Sequence, residues 1–91
     1  MEITQALAEY VVRTTFADLP AEAVTQTKRA VLDTLGVTLA GSLEPCARIA
    51  AEVIAAEGGQ AVATVIGQGL QAPPRAAALA NGTAAHALDY D

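Results

Sequence analysis

The sequence has no tryptophan, one phenylalanine, two tyrosines, one cysteine, one histidine and five basic residues. Each scarcity excludes something. A single cysteine, Cys46, cannot build a disulfide framework. Five Lys and Arg against ten Asp and Glu leave a net charge of −5, which argues against nucleic acid or an anionic membrane surface as a partner. Charged residues make up 16 % of the chain, below the roughly 25 % usual for a soluble domain. Much of the surface is therefore expected to be covered, by a partner chain or by more of its own chain. No uninterrupted apolar run reaches the roughly 18 residues a bilayer span needs. The start, Met1-Glu2-Ile3-Thr4-Gln5, lacks the basic residues and apolar stretch of a signal peptide. A cytoplasmic location is the simplest expectation.

What is present is aliphatic. Hydrophobic residues are 53 % of the 91, mostly Ala, Val, Leu and Ile, so the chain has the apolar content that disordered segments lack. The length allows one small domain or a piece of a larger one, hiding about 60–65 % of its unfolded surface. That leaves little material for a core and a deep active site together.

Hydrophobic periodicity predicts an all-α chain. Ile3, Leu7, Tyr10, Val11 and Thr14 recur at helical spacing, giving a helix over about 3–15. Thr15 to Leu19 is a connector. Pro20 suits a first helical position, where a missing N–H is harmless, and Glu22 favours the positive helix start. Val24, Val31, Leu32, Leu35 and Leu39 form the stripe of a second helix, with Lys28 and Arg29 at or beside its margin. Gly36 inside that stripe costs about 1 kcal/mol against Ala; it is expected to allow close approach of a neighbouring helix, with a plain helix defect as the alternative. Gly41-Ser42 ends the helix, and a third starts near Glu44–Pro45. Its expected inner face is Cys46, Ile49, Ala50, Val53 and Ile54, closed by Gly58-Gly59. One short extended segment at most is expected, near 61–66, before a turn at Gly67-Gln68-Gly69. Pro73-Pro74 opens a last, Ala-rich helix from Arg75 to about Leu88. Asn81-Gly82 is a hairpin signal elsewhere, but between Ala-rich flanks it reads as tolerated within the helix.

Four features could carry chemistry. Gly67-Gln68-Gly69-Leu70-Gln71-Ala72, with Asp89 twenty residues past Gly69, imitates a dinucleotide-binding fingerprint. The fingerprint needs a helix running through the Ala72 position, and the following Pro73-Pro74 pushes Ala72 toward extended backbone; a plain turn is the better reading. Cys46, in a helix's first turn, could be an activated thiol, but its place on the apolar stripe favours a buried small hydrophobe. Arg75 could clamp a carboxylate or be a solvated surface residue. Finally, if the last helix persists, Gly82, His86 and Asp89 fall at i, i+4 and i+7 on one face. Gly82 would leave space, and His86 with Asp89 could do proton chemistry. Two or three possible metal ligands from one segment are weak evidence for a metal, and none is expected. On spacing alone the simpler reading is a helix C-terminus with a dipole-favoured His and solvated Asp residues.

Several blocks together resemble one family. Leu32-Asp33-Thr34-Leu35-Gly36, Ala63-Thr64-Val65-Ile66-Gly67 and Ala78-Leu79-Ala80-Asn81-Gly82 are similar, in order and spacing, to the start of MmgE/PrpD proteins. Ala85-His86-Ala87-Leu88-Asp89-Tyr90-Asp91 is similar to that family's A-H-x-x-D-[FY]-D-D-T signature. The resemblance covers essentially all 91 residues. It implies a cofactor-independent lyase of the 2-methylcitrate dehydratase or cis-aconitate decarboxylase kind, acting on small di- and tricarboxylates (the family also includes an iminodisuccinate epimerase). It further implies a large helical domain, a smaller α/β lid domain and usually a homodimer. Asp89 matches a catalytic acid/base position, and His86 and Asp91 belong to the same motif as supports. The signature's next Asp-Thr, the family's later His and Lys residues and the lid lie outside these 91 residues. The expectation is thus a truncated N-terminal helical domain, residues 1–91, inactive alone. From a different class, the alternative is a small non-catalytic helical protein that associates with itself or a partner through its apolar faces.

Overall fold

A computed structural model describes residues 2–90 of the chain. Four α-helices dominate, α1 (Ile3–Arg13), α2 (Ala21–Gly41), α3 (Pro45–Glu57) and α4 (Pro74–His86), with one hairpin of β1 (Ala63–Val65) and β2 (Leu70–Ala72). The all-α expectation holds. Two compact units divide the chain between Ala30 and Val31, within α2.

The first unit contains α1 and the start of α2. At its end α1 is stopped by Thr14, whose amide and hydroxyl both donate to the Tyr10 carbonyl, at 3.0 and 2.6 Å. The connector is a short 3₁₀ turn, Phe16–Asp18. The Asp18 carboxylate accepts the Thr15 amide at 2.8 Å and the Thr15 hydroxyl at 3.0 Å, which ties the turn's start. Helix α2 begins at Ala21, one residue later than expected, with the Pro20 carbonyl accepting the Val24 amide at 3.2 Å. No residue of α1 is buried, and Leu7 is 61 % exposed. The α1 apolar stripe forms as the periodicity predicts, and its large residues Ile3, Leu7, Tyr10 and Val11 are exposed.

The second unit holds the core. Ile54, Val65, Ala72, Ala77 and Ala80 cluster there, with Ala63, Leu70 and Ala76 packed against them. Four of these eight lie on the two strands, which pair antiparallel with Ala63 opposite Ala72 and Val65 opposite Leu70. Strand β2 is an addition to the expected extended segment: Leu70-Gln71-Ala72 is too short to show an alternation. Gly67 and Gly69, both at positive φ, make the turn between the strands, a conformation glycine adopts without a Cβ penalty.

Three expectations about packing need correction. The inner face of α3 is Ala47, Ala51 and Ile54, not the bulkier set around Cys46, Ile49 and Val53; Ile49 and Val53 are exposed, as is Cys46. The partner of α3 is α4, whose buried residues are Ala77, Ala80 and Ala84, so small side chains face small side chains and the backbones come close. In α2 the buried residues are Thr38 and Gly41, while Val31, Leu32, Leu35 and Leu39 are exposed. Gly36 faces open space, with nothing within 4 Å of where a Cβ would sit. The glycine that a neighbour does approach is Gly41, where a Cβ would overlap the Ala84 carbonyl oxygen.

Asn81 explains why Asn-Gly sits comfortably inside α4. Its Oδ1 accepts the Ile66 amide at 2.8 Å and its Nδ2 donates to the Thr64 carbonyl at 3.0 Å. The side chain thus serves backbone groups at the end of β1 that the hairpin does not. Among the described residues no helix is long and apolar enough to cross a membrane.

Candidate functional site

The site is built on the end of α4. Pro74 lies in the first turn, where its lack of an amide is harmless. One face of the helix, Ala77, Ala80 and Ala84, is buried. The adjacent face, Ala78, Leu79, Gly82, Thr83 and His86, borders an open groove of about 780 Å³, completed by Cys46, Ala87 and Asp89. Nothing lies within 4 Å of a Cβ built on Gly82, so this glycine leaves the expected space beside His86.

The helix does not persist to Asp89, contrary to the i, i+4, i+7 expectation. It ends at His86. The Ala87 amide bonds back to the Ala84 carbonyl at 3.3 Å, and the Asp89 amide to the His86 carbonyl at 3.2 Å. Asp89 then takes φ = 50°, a left-handed conformation that Asp tolerates better than most residues because its short polar side chain can bond locally. The turn still brings Asp89 to the groove. His86 Nδ1 lies 4.0 Å from Asp89 Oδ1, within ion-pair range for a protonated imidazole and too long for a hydrogen bond. Both side chains are open to solvent, at 81 and 74 % exposure, so a ligand can reach either.

The structure therefore unites Gly82, His86 and Asp89, and adds Cys46 and Thr83, which sequence reasoning did not place there. Cys46 was hidden by its apolar neighbours: one residue along from Ala47, it sits just off the buried face. Asp91 lies outside the described residues. Arg75 borders a different groove, of about 390 Å³, with Glu57, Gly58, Pro73, Ala76 and Leu79. On its other side His86 borders a third groove, of about 400 Å³, with Asp33, Thr34, Val37, Ala85 and Tyr90.

Chemically, a carboxylate and an imidazole opening on one groove can exchange protons with a bound small molecule, and the groove is of the size such molecules occupy. His86 is the one groove-lining residue that can carry positive charge. Among the described residues no group of three His, Cys, Asp or Glu is placed to hold a metal ion. Gly67-Gln68-Gly69 is the hairpin turn, and Ala72 lies in a strand, so this stretch lacks the helix start on which a pyrophosphate would rest.

The family model described as the MmgE/PrpD N-terminal domain matches residues 5–91, and the chain belongs to that family. Comparison with curated proteins gives no match, and comparison with solved structures gives none.

Proposed function

We propose, with that membership as the premise, that the chain is the N-terminal segment of a lyase acting on small di- and tricarboxylates, of the 2-methylcitrate dehydratase or cis-aconitate decarboxylase kind. Asp89 exchanges a proton with the carbon next to a substrate carboxylate. In a dehydration it takes the proton as the hydroxyl leaves; in a decarboxylation carbon dioxide leaves and a proton is delivered. His86, whose Nδ1 lies 4.0 Å from Asp89 Oδ1, supports the site, and Asp91 supports the same motif. The observation that carries this reading is the single groove onto which Asp89 and His86 open, beside the space left by Gly82.

The substrate's charge sets a further requirement. Proton removal beside a carboxylate builds enediolate-like charge, which needs preorganised cations or donors. A net charge of −5 and a groove with one imidazole do not provide them. The missing cations come from chain outside these 91 residues or from a second subunit, in a cytoplasmic homodimer that needs no cofactor.

The test is turnover of 2-methylcitrate and cis-aconitate by an active form of the enzyme. Asp89→Asn keeps size and hydrogen bonding but cannot take up a proton at neutral pH. It is expected to lower turnover by about 10²–10⁴-fold, and Asp91→Asn by less. An Asp89→Asn enzyme within about threefold of the parent removes Asp89 from the acid–base role. The 91 residues alone are expected to turn over neither acid.

A second reading, a non-catalytic association module, rests on the exposed apolar residues of α1 and α2, such as Leu7, Leu32 and Leu39. Sedimentation across a concentration series bears on it and on the homodimer alike. A mass that rises with concentration is expected; a clean monomer at high concentration counts against both.

A further inference from the structure

We propose that Gly41 is a positioning residue of the site: the crossing of the α2 end over α4 determines where α4 stops, and so where His86 and Asp89 stand. The proposal rests on the reading of His86 and Asp89 as the proton-handling pair.

Gly41 is buried in the last turn of α2, where alanine is the better helix former, and its φ is not positive. Its lack of a side chain therefore serves an approach, not a backbone conformation. A Cβ there would overlap the Ala84 carbonyl oxygen and stand 3.0 Å from the Ala84 carbonyl carbon and 3.3 Å from Ala87 Cβ. That carbonyl oxygen accepts the Ala87 amide in the bond that closes α4, and the next bond, Asp89 amide to His86 carbonyl, carries the left-handed turn at Asp89. The contact thus falls on the turn that presents both groove residues.

The α2 end cannot easily give way instead. The next residue, Ser42, is buried; its hydroxyl donates to the Leu39 carbonyl and its carbonyl accepts Gln68 Nε2, each at 2.6 Å. A Cβ at Gly67 would in turn overlap the Ser42 hydroxyl oxygen. The hairpin that grips Ser42 is itself bonded to α4 through Asn81. The α2 end, the hairpin and α4 form a closed circuit, and the chain just after His86 joins it through its two turn bonds and through Ala87 beside Gly41. A side chain at Gly41 is relieved there, and a displacement near 1 Å at a reacting group can lower turnover about 100-fold.

His86 is the only histidine in the sequence, so its imidazole proton resonances report on the site in the full chain. Gly41→Ala is expected to displace or split them and to change how far Asp89→Asn moves them. Gly36→Ala, in the same helix but facing open space, and Ile54→Val, which loosens the core, are expected to leave them within a linewidth. In an active enzyme Gly41→Ala should lower kcat at least tenfold with KM within about threefold; kcat is taken per folded enzyme, because loss of folded protein alone also lowers apparent turnover at unchanged KM. If Gly41→Ala does not fold by circular dichroism, Gln68→Ala decides: it releases Ser42, and the His86 resonances should move, though less. Gly41→Ala resonances that match those of Gly36→Ala overturn the proposal, as do unmoved resonances in Gln68→Ala. An active Asp89→Asn enzyme would instead defeat the acid–base reading and leave the resonance result standing.

Discussion

The two units bury their apolar residues very differently. In α1 the periodic side chains, Ile3, Leu7, Tyr10 and Val11, all remain exposed. In the second unit the buried residues are mostly alanines, held by one isoleucine, one valine and side chain–backbone bonds from Asn81 and Gln68. Large residues thus lie mostly on surfaces the described residues leave exposed, and small residues mark the contacts the second unit makes within itself. Periodicity detects both as helices. It does not say which face is already satisfied, because hydrophobicity weighs Leu above Ala while close helix crossings favour Ala and Gly.

The sharpest way to break that contrast is to truncate one large residue in each unit. Ile54 is 4 % exposed at the centre of the core, and Ile54→Ala leaves a cavity between α3, the hairpin and α4. Losses for such changes run about 2–5 kcal/mol, a large part of what a small domain has to lose. Leu7→Ala on exposed α1 should change stability by no more than about 0.5 kcal/mol. Denaturant unfolding followed by circular dichroism compares them. Equal losses would mean that α1 is packed in solution.

A smaller effect isolates the polar part of the second unit. Asn81→Ala removes the acceptor for the Ile66 amide and the donor to the Thr64 carbonyl. The Ile66 amide is part-buried, and leaving it unsatisfied costs about 1–3 kcal/mol; the Thr64 carbonyl is exposed and can turn to water, and alanine's better helix propensity offsets part of the loss. The same unfolding measurement should show a net loss, and a variant as stable as the parent would mean water replaces both bonds.

These contacts also delimit what the sequence makes legible. The helices, the turn at Gly67–Gly69 and the inclusion of Asn81-Gly82 in α4 follow from spacing and flanking residues. The face of α3 does not: Ile49 and Val53 are more hydrophobic than Ala47 and Ala51, yet the alanines are the buried ones. Nor does the choice between Gly36 and Gly41, since both lie in one helix and only tertiary contact distinguishes them. At the site, His86 and Asp89 are legible as a motif, and Gly82 as space. The route that joins them is not, because a left-handed turn at a non-glycine residue replaces the continued helix that spacing suggests.

The smallest expected effect lies in the first unit and depends on pH. Asp18 accepts the Thr15 amide and hydroxyl. These bonds, the backbone one first, hold its pKa below the ordinary 3.8, against a slight opposing push from desolvation. A carboxyl group whose pKa is lower in the folded chain contributes stability that is present above its unfolded value and is lost as pH falls through the folded one. The tie between Thr15 and the 3₁₀ turn should therefore hold at neutral pH and loosen only below about pH 4. Asp18 is fully exposed, so solvent screens its contribution and global stability should barely register the change. Amide hydrogen exchange at Thr15 is the suitable probe. Its protection should fall on acidification and should be low at every pH in Asp18→Ala, while the amides of α3 and α4 stay protected throughout. Thr15 protection that is independent of pH would show that the connector is held by something other than this carboxylate.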